Sequence, residues 1–265
     1  GYLFLGPEKG EMACGEFGEG KMSSPRQIYV YLKNYFHKKN LVKKKNWKAI
    51  VTTGPTREYI DPVRYISNES SGKQGYEIAV ALNKLGIKTT LIAGPSNLTS
   101  YKGLKIKNIT SADEMLVEVK KSLPVDLAVC AAAVTDFKPI KKNKNKIKKE
   151  NMSLNSVNFV KNNDILEYIS KINRHRPRLV AGFSAETENL KKNSISKLKK
   201  KHCDLIIAND VSQKDIGFNS DYNKVSVLDR EGNIKEIPKN KKSFIANKIA
   251  EILLNKLLIN DRNFN

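Results

Sequence analysis

Leu127-Ala128-Val129-Cys130-Ala131-Ala132-Ala133 is an apolar run unbroken by any polar residue. A strand with one wet face alternates; a continuous apolar run reads as a fully buried strand. Working back from it, Ser111 and Glu114 have the spacing of a capping box, and a helix is expected from there to about Leu123. Leu104, Ile106 and Ile109 mark a more exposed strand, and Thr89 to Ala93 another. A helix over 75–85 turns Ile78, Ala79, Leu82 and Leu85 inward and stops at Gly86. Ala49-Ile50-Val51 is a short buried strand ended by Gly54-Pro55. Working forward, helices are expected over 164–174 and 187–201, with strands at Leu179–Phe183 and Leu205–Ala208. Strands alternating with helices imply an α/β fold: a Rossmann-like, doubly wound, mostly parallel sheet with helices on both faces. A C-terminal hairpin extends it, Val225–Leu228 and Ile234–Ile237 flanking 229–233. A last helix carries Phe244, Ile245, Ile249, Ile252 and Leu253 on one face.

The first 46 residues differ in character. Glycines crowd the first 20 positions, Ile28, Leu32 and Tyr35 mark an amphipathic helix, and Lys38 to Asn46 reads as a lysine-rich linker. The chain's 265 residues are 40% hydrophobic, enough for a large core, which excludes disorder throughout. A formal charge of +21 favours anionic partners but says little about fold. Cys14, Cys130 and Cys203 are far apart and odd in number, which suggests a reducing compartment such as the cytoplasm. No apolar run approaches the roughly 18 residues of a membrane span. The start, Gly1 to Pro7, lacks the basic residues and length of a signal peptide.

In a doubly wound sheet ligands bind beyond the carboxyl ends of the strands. After the first strand comes a long link, where about two to six residues are usual. It contains Asp61-Pro62-Val63-Arg64-Tyr65-Ile66-Ser67-Asn68 and ends in Ser70-Ser71-Gly72-Lys73 at a helix N-terminus, a place suited to anions. After the apolar strand, Ala131, Ala132 and Ala133 let a ligand approach the backbone, and Asp136 could meet a ribose hydroxyl or a metal ion. Lys141 to Lys149, taken alone, is a solvated basic loop or a nucleic-acid patch. Ile147 inside Lys146-Ile147-Lys148-Lys149 nevertheless suggests a pinned geometry. Lys197 and Lys201 share a helix face and repel unless something negative, such as a triphosphate, lies between them. No Ser–His–Asp set and no metal-ligand cluster can be assembled.

Taken together in order, these segments, with Gly182-Phe183-Ser184-Ala185-Glu186-Thr187 and Ala208-Asn209-Asp210, resemble phosphopantothenate–cysteine ligase over about residues 47–258. This is the ligase half of the bacterial bifunctional coenzyme A enzyme. Residues 1–35 resemble the end of its other half, a flavin-dependent phosphopantothenoylcysteine decarboxylase. Ala13-Cys14-Gly15-Glu16 matches that family's motif with Glu16 in place of Asp. The division implied is 1–37 decarboxylase remnant, 38–46 linker and 47–265 ligase domain. Cys14 would be the decarboxylase proton donor, a relic without the flavin-binding body, so FMN would serve only that missing half.

The resemblance implies CTP-dependent joining of 4′-phosphopantothenate to L-cysteine through an acyl-cytidylate, with Mg²⁺ carried by CTP. Asn68 would bind the acyl carbonyl and Lys146 would neutralise the phosphates. Lys197 and Lys201 would hold the triphosphate. Cys130, Ala131, Ala132 and Asp136 would lie against the nucleotide, Phe183 against the base. Asn163, Asp164, Ile165 and Leu166 would sit where the family has a Pro-Asp-Ile stretch at the nucleotide site, with Asn163 in place of Pro, and Asp210 would fit the nucleotide site too. Arg64, Ser70, Ser71, Gly72 and Lys73 would bind substrate. A homodimer is implied, with no specific nucleic acid and no membrane. Two other function classes have signatures of their own. An NAD(P)-dependent Rossmann oxidoreductase needs a Gly-x-Gly-x-x-Gly fingerprint, which is missing. A nucleic-acid-binding protein needs exposed aromatics interleaved with the basic residues, and Lys141–Lys149 has none.

Overall fold

The computed structural model describes residues 5–12, 14–148, 157–186, 188–210 and 220–263. The chain separates into two compact units, Gly1–Asn46 and Trp47–Asn265. In the first, β1 (Glu8–Glu11) and β2 (Phe17–Lys21) form an antiparallel hairpin. Helix α1 (Pro25–Lys45) follows. Its start is a complete capping box: the Ser24 amide donates to Gln27 Oε1 at 2.8 Å, and Ser24 Oγ accepts from the Gln27 amide at 3.3 Å. The expected linker from Lys38 is instead the last eight residues of this helix. Lysine is a good helix former, and the helix ends only at Asn46, left-handed at φ 52°.

The second unit is built on one eight-stranded sheet. Its strands are β3 (Lys48–Thr53), β6 (Lys88–Ala93), β7 (Lys105–Asn108), β8 (Leu127–Cys130), β11 (Leu179–Glu186), β12 (Leu205–Asp210), β13 (Tyr222–Asp229) and β14 (Ile234–Lys241). Their spatial order is β14-β13-β12-β11-β8-β3-β6-β7. From β12 to β7 every pairing is parallel; β12–β13 and β13–β14 are antiparallel, the expected C-terminal hairpin. The chain winds one way from β3 to β6 and β7, then returns past β3 to β8. The order therefore reverses between β3 and β8, which is where such sheets open a crevice.

The connecting helices are α2 (Lys73–Lys84), α3 (Ala112–Ser122), α4 (Ile165–Lys171), α5 (Leu190–Lys201) and α6 (Lys242–Asn263). Met115 and Val119 of α3, Ile165 and Ile169 of α4 and Leu198 of α5 bury against Ile50, Ile92, Ala128, Val180 and Ile206 of the sheet. Burying an aliphatic side chain of this size contributes about 1.5–3 kcal/mol, so this layer is a main source of stability. On the other side α6 packs on α2. Its buried stripe is Ile245, Ile249, Leu253 and Leu257, while Phe244, expected inward, is 40% exposed. Ser111 Oγ accepts from the Glu114 amide, but the Glu114 carboxylate reaches back to the Thr110 amide instead of closing the box on Ser111.

Two small antiparallel ribbons stand on the long links: β4 (Arg57–Tyr59) with β5 (Tyr65–Ser67), and β9 (Phe137–Pro139) with β10 (Phe159–Lys161). The apolar run from Leu127 leaves the sheet after Cys130, earlier than its composition suggests. Ala131 and Ala133 continue beside β3 by donating to Thr52 O at 3.0 Å and Gly54 O at 2.9 Å. At the same edge Gly94 lies against Pro55 so closely that a Cβ would sit 1.8 Å from the Pro55 carbonyl oxygen. Only glycine fits there.

Candidate active site

The crevice at the β3–β8 reversal holds two adjoining cavities. The larger, about 520 Å³, is lined by Asn68, the Ser70-Ser71-Gly72-Lys73 turn, Ala131, Ala132 and Lys242 among others. The smaller, about 160 Å³, is lined by Cys130, Asn163, Asp164, Ile165, Leu166 and Lys201 among others. Ala132, Val134, Asp136, Phe183 and Lys197 border both. Residues from four strand ends thus converge on one place, the usual geometry of a ligand site in an α/β sheet.

The floor of the larger cavity is fixed by the end of β3. Thr53 Oγ1 donates to the Gly72 carbonyl at 2.6 Å. Gly72 is left-handed at φ 70°, and a Cβ on it would lie 3.1 Å from the Gly54 backbone. Ser70 Oγ accepts from the Gly72 amide at 3.2 Å, so its hydroxyl shapes the turn. No side chain caps α2. Asn68 is held at the rim by its amide, which donates to Val134 O at 3.0 Å.

In the smaller cavity Lys201 is held by the carboxylates of Asp164 and Glu167, the latter at 3.2 Å. Burial lowers its pKa, but these two partners outweigh that and leave it raised. Burial holds Lys197 below the ordinary lysine range, with Glu186 and Asp164 pulling the other way. Among the described residues Lys197 has no ion-pair partner. Burial pushes the Cys130 thiol up to about 12, which makes it a wall and not a nucleophile.

The family model for the DNA/pantothenate metabolism flavoprotein C-terminal domain matches residues 44–257. The chain belongs to that family. Among its relatives, the coenzyme A biosynthesis bifunctional protein CoaBC of Haemophilus influenzae is 40% identical over 254 residues, covering 96% of this chain and 62% of that protein. The Escherichia coli K12 protein of the same name is 37% identical over 261 residues, with 97% and 62% covered. The chain therefore spans about three fifths of the length of these relatives. The crystal structure of a CoaBC C-terminal domain superposes with a TM-score of 0.67 at 30% identity, covering 80% of this chain and 95% of that one. A Cab2 mutant in complex with phosphopantothenate-cysteine shares the fold, with a TM-score of 0.64 at 15% identity and 91% and 97% covered.

Within this flavoprotein C-terminal domain the expected site residues fall into three groups. Cys130, Ala132, Asp136, Asn163, Asp164, Ile165, Leu166, Phe183, Lys197 and Lys201 line the smaller cavity. Asn68, Ser70, Ser71, Gly72, Lys73 and Ala131 line the larger one. Arg64 and Lys146 line neither. Arg64 is engaged by the fully buried Asp61, through Nε at 2.9 Å and through Nη2, and also donates to Ile147 O at 2.9 Å. The Arg64 guanidinium holds the Asp61 carboxyl well below the usual range, aided by the amides of Val63, Arg64 and Ile147. This is what pins Ile147, and it leaves Lys146 exposed on the tethered loop. Lys201 also departs from expectation: its negative partners are Asp164 and Glu167 of the chain itself.

Cys14 is exposed in the β1–β2 turn of the first unit. Asp210 ends β12, and its side chain, like Ala13, Lys149 and Thr187, lies outside the described residues. Gln74, Asn209, Asn223 and Lys242 also line the larger cavity. Sequence reasoning missed three of them because they are isolated polar residues with no local pattern. Asn209 stands in a noticed motif, and its Oδ1 is buried with no hydrogen-bond partner. Among the described residues no cluster of three His, Cys, Asp or Glu could hold a metal, and no helix is long and apolar enough to cross a membrane.

Proposed function

We propose that this chain joins 4′-phosphopantothenate to L-cysteine in coenzyme A biosynthesis, using CTP. The observation that carries the reading is the pair of cavities at the β3–β8 reversal, each with its own cationic end, meeting at Ala132 and Phe183. In the first step the carboxylate of phosphopantothenate attacks the α-phosphate of CTP and pyrophosphate leaves. In the second the cysteine amine attacks the acyl-cytidylate and CMP leaves. Neither step needs a protein nucleophile; positioning and charge stabilisation suffice.

Lys197 and Lys201 hold the triphosphate, Phe183 packs on the cytosine side, and Asp136 and Asp210 serve the nucleotide. Asn68, fixed by Val134 O, binds the acyl carbonyl. Mg²⁺ arrives on CTP as part of the substrate, since magnesium usually keeps its waters and its phosphate ligands.

A homodimer completes the site. Val63, Tyr65, Phe137, Ile140 and Phe159 on and beside the two ribbons are each more than 40% exposed, an apolar surface that a second copy would cover. Lys146 and Arg64 belong to the same side, tied together through Ile147. Lys146 reaches the phosphates in the partner's cleft. Residues 1–37 are the C-terminal segment of a decarboxylase unit, whose FMN would be bound by other parts of that unit, and the enzyme works in the cytoplasm.

Pyrophosphate release tests the reading, with phosphopantothenate, cysteine, Mg²⁺ and either CTP or ATP. Release that requires both phosphopantothenate and CTP is expected. No release with either nucleotide from folded protein would refute it.

A further inference from the structure

Lys141, Lys142, Lys144, Lys146 and Lys148 all stand exposed on the loop that follows β9. A long side chain on such a loop samples many rotamers, and holding one in place costs conformational entropy. Electrostatic help to a transferring phosphoryl group, the role proposed for Lys146, depends on placement more than on charge alone. Something has to fix this loop.

Three contacts tie it to the β4–β5 ribbon. The Asn143 amide donates to Ile60 O at 2.9 Å. Lys142 Nζ lies over the Tyr59 ring, 5.0 Å from its centre. At Ile147 both backbone groups are taken: the carbonyl accepts from Arg64 Nη2 at 2.9 Å, and the amide donates to Asp61 Oδ2 at 3.3 Å. Ile147 is the neighbour of Lys146, so the tie fixes the backbone on which that lysine stands.

The two oxygens of Asp61 divide the work. Oδ1 accepts from the amides of Val63 at 2.8 Å and Arg64 at 2.9 Å, a local turn that a neutral asparagine makes as well. Oδ2 accepts from Arg64 Nε at 2.9 Å, from Arg64 Nη2 and from the Ile147 amide. The Asp61 side chain is fully buried, and a buried carboxylate is costly unless paired. The turn alone gives no reason to carry that charge. The second oxygen does: it orients the Arg64 fork and reaches a segment 86 residues away.

On the ligase reading of Lys146, we propose that Asp61 is a positioning residue for that lysine. Its Oδ2, acting with the Arg64 guanidinium, locks Ile147 and so presents Lys146 at a fixed point. Asp61 itself touches no substrate in this scheme.

The test is Asp61→Asn. With its oxygen towards Val63 and Arg64 the asparagine keeps the turn, while its NH2 group faces the Arg64 and Ile147 donors and breaks the lock. Pyrophosphate release should show a kcat about 10- to 100-fold lower, the effect of a displacement of about 1 Å at a reacting centre, with both KM values within about threefold of wild type. In a Lys146→Ala background the same substitution should change kcat by less than about twofold, because no lysine is left to place. A kcat for Asp61→Asn within about twofold of wild type, or a loss that adds in full to that of Lys146→Ala, would overturn the assignment. Amide hydrogen exchange on the wild type needs no variant to fold. The Asn143 and Ile147 amides should be protected, and free exchange at both would equally overturn it. Wild-type turnover by Lys146→Ala would sink the ligase role of Lys146 and this assignment with it, whereas a slow Lys146→Ala beside a normal Asp61→Asn would sink the assignment alone.

Discussion

Replacing Lys197 by Met separates ligand binding from fold stability at one residue. Lys197 is half-buried, and burial lowers its pKa. Among the described residues no carboxylate pairs with it directly. Its charge is therefore a cost in the empty protein and a gain only when an anion is present. At 4 Å and an effective dielectric near 20, one unit charge attracts another by about 4 kcal/mol, an upper bound before desolvation. A net contribution of about 1.5–3 kcal/mol is typical for a hydrogen bond to a charged group. Lys197→Met should thus weaken MgCTP binding by about 10- to 100-fold while leaving the thermal midpoint equal or higher.

The pH sign follows from the same shift. The folded pKa lies below 10.5, so between the two values the unfolded chain binds more protons. Stability of the empty protein rises with pH across that window, and nucleotide affinity falls. Isothermal titration with MgCTP at neutral and alkaline pH, paired with thermal melts, measures both. Binding within twofold of wild type, or a large drop in melting temperature with unchanged affinity, would refute the argument.

Four further outcomes are expected. Lys201→Met leaves Asp164 at the smaller cavity without its cation, while Glu167 keeps Lys171. It should weaken MgCTP binding and, because such partly exposed pairs contribute at most about 1 kcal/mol each, lower stability only slightly, as denaturant titration would show. Gly182→Ala places a Cβ 2.4 Å from Leu166 Cδ2 and should cost about 1–3 kcal/mol while distorting the smaller cavity, seen as a lower denaturation midpoint and, on the proposed function, a raised KM for CTP. Iodoacetamide at pH 8 should label exposed Cys14 before the half-buried Cys130, because a thiol near 12 is ionised to only about one part in ten thousand; mass spectrometry finding Cys130 labelled as fast would contradict that upward shift. Glu118, bonded by Lys107 and Lys121, and Glu167, bonded by Lys171 and Lys201, fall from 4.5 to about 2, so the stability they confer is present above 4.5 and lost as pH falls towards 2; circular dichroism showing no acid loss in that window would count against these pairs.

The order of elements was legible from the chain alone because each local signal has a short physical range. Apolar runs such as Leu127–Val129, stops such as Gly86 and Ser111 before its helix need only neighbours a few residues away. The motif residues were legible for the same reason, and most of them do meet at the β3–β8 reversal. Helix α1 was misread as ending in a linker because a lysine-rich stretch looks alike as solvated helix and as coil. What only the tertiary structure decided is which charges share a space. Lys242 reaches the cavity through the packing of α6 on α2, Arg64 is drawn off to Asp61, and Lys201 finds Asp164 and Glu167 from another helix. Those pairings join residues far apart in the chain, and the sequence carries no local pattern for them, since burial and charge pairing depend on distance in space.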